Sequence, residues 1–129
     1  MAKKRLFISF DYDHDSDIKM LLANQQFHPD SPFEFTDASV KEHLTGDWKD
    51  KVRGRIQRAD VIAVLCGKHT HTAAGINAEL QMAQELGKPY FLLQAYKDGG
   101  CTKPLNANHD DPIYTWTWQN LKALVMGER

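Results

Sequence analysis

The chain has 129 residues, of which 42% are hydrophobic and 26% charged, and its formal net charge at pH 7 is -1. That length predicts one globular domain over residues 1–129 with a core of its own, and the composition excludes disordered and fibrous classes. The near-zero charge gives no bulk field for nucleic acid, and two cysteines, Cys66 and Cys101, are too few for a disulfide framework, which fits a reducing cytoplasm.

After Met1-Ala2-Lys3-Lys4-Arg5 comes Leu6-Phe7-Ile8-Ser9-Phe10, a short apolar run that reads as a strand buried on both faces. It is too short for the apolar region of a signal peptide, and no stretch approaches the length of a membrane span. The run ends in an acidic tip, Asp11-Tyr12-Asp13-His14-Asp15. Asp15 or Ser16 is placed to cap a helix carrying Ile18, Leu21 and Leu22 on one face. Two prolines, Pro29 and Pro32, then precede Phe33-Glu34-Phe35, a short alternating strand, and a polar loop from Thr36 to Gly46. Thr45 or Asp47 starts the next helix, where Trp48, Val52, Ile56 and Ala59 recur at helical spacing. Its other face, Lys49, Lys51, Arg53, Arg55 and Arg58, is basic, which on an exposed helix is usually just a solvated face.

Asp60-Val61-Ile62-Ala63-Val64-Leu65-Cys66 is the clearest buried strand. The loop Gly67-Lys68-His69-Thr70-His71 leads into a helix from Thr72 to Leu86, closed by Gly87 with Lys88-Pro89 beyond. Pro89 to Ala95 is a further apolar strand, and Tyr96 to Pro112 is a loop long enough to have a role of its own. A helix from Trp116 to Met126, with Trp118, Leu121, Leu124 and Val125 facing inward, closes the chain. Strands alternating with helices predict a flavodoxin-like three-layer α/β sandwich around a parallel sheet of four or five strands. Ligands in such sheets sit beyond the carboxyl ends of the strands. Here that edge carries Phe10 to Asp13, Asp37 to Ser39, Gly67 to His71 and the residues from Tyr96 onward.

One residue disobeys its helix. Ile76, Leu80, Ala83 and Leu86 share a face, and Glu79 projects inside that stripe. A carboxylate there must be paired, desolvated or bound to something, which makes it a site candidate. Its place about two turns into the helix leaves two directions open, up into the cleft or down into the core. Other chemistries find less support. No Gly-x-Gly-x-x-Gly follows the first strand, no phosphate loop is present, and no Ser or Cys sits in a nucleophile elbow. His69-x-His71 has no acidic or cysteine partner at ligand spacing, so no metal site is expected. A phosphoryl-receiver domain needs an acceptor Asp where this chain has Leu65-Cys66-Gly67-Lys68. A single buried carboxylate suits cleavage of an N-glycosidic bond, where it stabilises an oxocarbenium-like sugar or attacks the anomeric carbon. Phe10 and Tyr12 are candidates to stack on a base.

At these residues the chain resembles a known family. Phe7-Ile8-Ser9-Phe10 followed by Tyr12 resembles the first box of TIR domains, and Asp37-Ala38-Ser39 the start of their loop after the second strand. Ala59 to Leu65 is similar to their central strand. Glu79-Leu80, Ala83 and Gly87-Lys88-Pro89 resemble the helix and strand that carry their catalytic glutamate. The likeness runs from about Lys4 to about Tyr96, and the chain resembles in particular the stand-alone TIR-like proteins of the bacterial Thoeris antiphage system, the ThsB type. The resemblance implies a TIR-like fold, NAD+ as substrate with no bound cofactor, and cleavage of the nicotinamide–ribose bond. It implies an ADP-ribose-derived signal that activates a downstream effector, and assembly of signalling TIR enzymes into homo-oligomers. Catalysis would fall on Glu79, with Phe10, Asp11, Tyr12, Asp37, Ser39, Trp48 and Lys68 as the substrate-binding residues. Many TIR domains carry Trp four residues before the glutamate; this chain has Gly75, and Trp48 is the candidate to fill that space.

Two other functions fit the residues. Nucleoside deoxyribosyltransferases share a helix glutamate and a Glu-x-x-x-Ala-x-x-x-Gly-Lys-Pro run, which Glu79 to Pro89 matches. A non-catalytic interaction module would use the basic face from Lys49 to Arg58 for contacts and leave Glu79 structural.

Overall fold

The structure, a computed structural model, describes residues 3–11, 14–38, 48–96, 100–108 and 110–127, without the side chains of Thr36, Asp37, Ala38, Trp48, Lys49 and Ala74. Its elements are β1 (Lys4–Ser9), α1 (Ser16–Asn24), β2 (Phe33–Ala38), α2 (Trp48–Arg58), β3 (Val61–Cys66), α3 (Ala74–Glu85), β4 (Tyr90–Gln94), β5 (Ile113–Tyr114) and α4 (Trp118–Val125). The strands form one five-stranded sheet in the order β2-β1-β3-β4-β5. Every neighbouring pair is parallel. This is the doubly wound, flavodoxin-like arrangement that strand–helix alternation predicts.

The side-chain alternation of β1 divides the core. Leu6, Ile8 and Phe10 pack with Leu22 of α1 and with Leu121, Leu124 and Val125 of α4. Phe7 turns the other way, to Val52 and Ile56 of α2 and Ile76, Leu80 and Met82 of α3. Along β3 the same period sends Ala63 and Leu65 to the first layer and Ile62, Val64 and Cys66 to the second. All six residues of β3 are buried, which is why that strand reads as an unbroken apolar run.

Helix α3 ends as the sequence predicts. Gly87 has φ +67°, its N–H donates to Gln84 O, and Lys88 N–H donates to Ala83 O. This is a Schellman cap, which needs the left-handed backbone that glycine adopts freely.

Four local expectations change. Strand β2 extends through Ala38, and Asp37 pairs in register with Phe7, so the polar loop begins later than Thr36. Strand β5 is a fifth strand of two residues inside what reads as loop and helix flank. Asp15 occupies the N-cap position of α1, yet its side chain makes no capping hydrogen bond. Leu21 is 59% exposed. It borders an uncharged groove of about 700 Å³ together with Ile18, Trp116 and Trp118, so α1 covers the sheet less completely than its periodicity implies. Among the described residues no helix is long and apolar enough to cross a membrane.

Candidate functional site

The site is built where β1 meets α3. Ser9 ends β1 and belongs, by alternation with Ile8, to the layer of α2 and α3. Glu79 reaches the same point from the second turn of α3. The Ser9 hydroxyl donates to Glu79 Oε1 at 2.7 Å, and both residues are 0% exposed. Of the two directions open to this side chain, the structure selects the one toward the carboxyl end of β1, with the carboxylate fully out of solvent. A short O–H···O contact to a carboxylate is among the stronger neutral-donor bonds, and it fixes one oxygen in place.

Beyond Ser9 the chain bends through a compact polar cluster. The N–H groups of His14 and Asp15 both donate to Asp11 O, at 3.2 and 2.8 Å. His14 Nδ1 lies 2.7 Å from Asp11 Oδ2. The His14 ring stacks on His69 from the loop after β3, with centroids 4.0 Å apart. Asp15 is 2% exposed and accepts a hydrogen bond from the Tyr96 hydroxyl at 2.6 Å. Its other oxygen has no partner and lies against Gly67, where a Cβ would sit 2.5 Å from it. Only glycine leaves room for that carboxylate.

Burial pushes the Asp15 carboxyl above its ordinary 3.8, and the neighbouring Asp11 adds to the rise, while the Tyr96 hydrogen bond opposes it. The same hydrogen bond, with burial second, pushes Tyr96 up to about 12, so its hydroxyl stays a donor. Burial likewise pushes the Cys66 thiol up to about 12, which leaves it an inert core side chain.

The loop after β3 is tied down by hydroxyls. Gly67 N–H donates to Thr70 Oγ1 at 2.7 Å, and Thr102 donates to Gly67 O through both its N–H, at 2.9 Å, and its hydroxyl, at 3.1 Å. His71 N–H donates to Thr102 Oγ1 at 3.1 Å. Further along, the Asn106 side chain donates to Asn77 O at 2.6 Å, and Asn106 N–H donates to Asn77 Oδ1 at 3.0 Å. Residues 100–108 are thereby strapped onto the outer side of α3.

The expected site residues fall into four groups. Glu79 and Asp11 both stand at the carboxyl end of β1, Glu79 through Ser9 and Asp11 in the tip itself. Phe10 is 2% exposed and packs in the layer of α1 and α4, with Lys19 Nζ 5.8 Å from its ring centre. Its ring is therefore in the core on the face of the sheet away from Glu79, and the structure does not bring the two together. Lys68 is exposed, and its stem runs past Gly100. Tyr12 and Ser39 lie outside the described residues, as do the side chains of Asp37 and Trp48. Ser9, His14, Asp15, His69 and Tyr96 carry the local network without having been singled out for the site. A hydroxyl inside an otherwise apolar strand was the signal for Ser9. The others become neighbours only when strands distant in sequence align. Among the described residues no group of three His, Cys, Asp or Glu is placed to hold a metal ion.

No curated protein matches the chain. The family described as Thoeris protein ThsB, TIR-like domain, matches it over residues 7–99. That span runs from the second half of β1 through β4, with Ser9 and Glu79 inside it. It also exceeds half of the 129 residues, so the chain belongs to the Thoeris ThsB TIR-like domain family.

Proposed function

We propose that this TIR-like chain is an NAD+ nucleosidase or cyclase that cleaves the nicotinamide–ribose bond and forms an ADP-ribose-derived signal. The observation that carries the reading is Glu79, a carboxylate 0% exposed on α3, held by the Ser9 hydroxyl at the carboxyl edge of the sheet. A negative charge fixed in a water-excluded site stabilises positive charge developing on the ribose ring, or captures the anomeric carbon. Nicotinamide leaves without help from a general acid, because it departs as a neutral pyridine. Because the carboxylate is fully buried, this reading requires the site to open before substrate reaches it. The product acts on a downstream effector in cytoplasmic antiphage defence, with assembly into homo-oligomers as the working state.

The full burial of Glu79 also favours a second reading, in which the Ser9–Glu79 pair is structural and the chain is a non-catalytic interaction module. One experiment separates the two. Native protein and Glu79→Gln are incubated with NAD+, alone and in lysate from phage-infected cells, and free nicotinamide is measured by mass spectrometry beside the thermal midpoint. The expected result is nicotinamide from native protein only, a loss of at least about 100-fold in the folded variant. No release by native protein in either setting, with Glu79→Gln markedly less stable, would establish the structural role. Turnover of deoxynucleosides with NAD+ untouched would move the chain to deoxyribosyltransferase chemistry.

A further inference from the structure

The reading above supplies a carboxylate for bond cleavage and leaves a second need unmet. A hydroxyl must add to the anomeric carbon, and its proton must go somewhere. We infer that His14, oriented by Asp11, is the group that accepts that proton. The inference rests on the NAD+-cleaving reading of Glu79 and goes beyond it.

Asp11 follows Ser9 by two residues, so their Cα atoms are no more than about 7 Å apart. Ser9, the last residue of β1, holds Glu79, and Asp11, two residues beyond it, holds His14, so both carboxylates stand at the carboxyl end of one strand. The Asp11 carboxylate accepts from His14 Nδ1–H at 2.7 Å. That bond fixes the tautomer, leaving Nε2 as the proton acceptor. A carboxylate that orients an imidazole in this way is the recurring arrangement of general bases. Asp11 is nearly buried, with a side chain 10% exposed, whereas the His14 side chain is 50% exposed. The inner member is therefore rigid, and the outer one can pass its proton to water.

Among the described residues, the groups around His14 come from three parts of the chain. Asp11 and Asp15 lie in the β1–α1 connection, and His69 stacks on the ring from the β3–α3 loop. Tyr96 from the end of β4 bonds Asp15 and stays protonated. His69 covers one face of the His14 ring. It acts as a wall that fixes the plane of the base.

The step balances. The C–N bond to nicotinamide breaks, and both its electrons leave with the neutral pyridine. Glu79 stabilises or captures the cationic ribose. A hydroxyl, of water or of the ADP-ribose moiety itself, forms the new C–O bond, and its proton passes to His14 Nε2 and on to solvent. Cleavage needs Glu79 alone, whereas capture by a hydroxyl needs His14 as well.

This split defines the test. Isotope-labelled nicotinamide exchanges into NAD+ through cleavage and re-formation of the C–N bond, with no hydroxyl involved. Exchange and net product formation are measured for native protein, Glu79→Gln and His14→Ala, each from phage-infected lysate. We expect His14→Ala to keep exchange within about threefold of native while product formation falls roughly 100-fold. Added imidazole should restore product formation in His14→Ala. Loss of exchange and product together in His14→Ala, without imidazole rescue, overturns the inference, as does product formation unchanged from native. If the native protein shows neither exchange nor product, the reading of Glu79 fails and this inference falls with it. Native activity abolished only in Glu79→Gln keeps that reading and rejects the role of His14.

Discussion

Asp15 is the residue whose environment is hardest to explain as packing alone. It stands at a helix N-cap, where a carboxylate ordinarily accepts backbone N–H groups, and it does not do so. Its carboxylate is turned inward to Tyr96 and pressed on Gly67 instead. Burial disfavours the charged form, so the folded state holds the Asp15 proton more tightly than the unfolded chain does. Stability therefore falls as pH rises from 3.8 through the raised folded value, and the penalty is complete above it. Asp15→Asn keeps an acceptor for the Tyr96 hydroxyl and removes the charge. Its Tm should exceed that of native protein by roughly 3 °C at pH 7, and the advantage should disappear below the ordinary Asp value. Thermal melts of the two proteins across that range check this. An advantage independent of pH would show that charge is not the cause. The benefit of so awkward a residue is positional. Through Tyr96 it ties the tip of β1 to the end of β4, and the same tip carries Asp11 and His14.

Among the elements, the segment from Gly100 to Asp111 shows what a sequence reading misses. Its composition reads as loop, and it is one, but it is bound at both ends. Thr102 is fastened to Gly67 and His71, Asn106 to Asn77 and Gln84, and Asp111 to Tyr90. Asn77 lies one turn or less from Glu79 on α3, so the strap restrains the helix that bears the carboxylate. Asn106→Ala removes the part-buried side-chain bond to Asn77 O, a loss of about 1 kcal/mol. Amide exchange in residues 102–108 should accelerate about tenfold, with the middle of α3 slower to respond. Uniform acceleration over the whole chain would mean that the strap is part of the global unfolding unit. The contrast with the rest of the fold is physical. Strands β1, β3 and β4 and helices α2 and α3 announce themselves because burial on two faces or one stripe dictates their pattern. The Schellman end of α3 was legible because glycine and proline have fixed backbone consequences. Strand β5 has two residues, too few for any period, and it forms because β4 offers an open edge at Leu92 and Leu93. Glu79 could be singled out because it breaks a stripe. Its direction could not, because that depends on Ser9, seventy positions away. Phe10 read as a free ring at a strand tip, whereas the core of the opposite layer takes it.

At the scale of the molecule, the family match and the fold do not end together. Residues 7–99 contain Ser9, Asp11, His14, Asp15, Gly67, His69 and Glu79. Yet the layer beneath the other face of the sheet is finished by α4, whose Leu121, Leu124 and Val125 are buried against Leu6, Ile8 and Leu93. Helix α4 is capped within its own segment, where Thr117 accepts from Asn120 N–H at 3.1 Å. Burying three such side chains contributes about 5–9 kcal/mol. That is comparable with the whole stability of an ordinary domain, about 5–15 kcal/mol. Residues 7–99 expressed alone should therefore lack a cooperative urea transition and fixed near-ultraviolet circular dichroism, while the full chain shows both. A sharp transition in the fragment would mean that α1 and the sheet close the layer without α4. The expected failure has a functional consequence. Phe10, between Ser9 and Asp11, is anchored in the layer that α4 completes. Loss of α4 loosens that anchor, and with it the spacing between the Ser9–Glu79 pair and the Asp11–His14 pair. The part of the chain that carries the family signature is thus expected to need the segments outside it, α4 above all, to keep the Ser9–Glu79 and Asp11–His14 pairs in place.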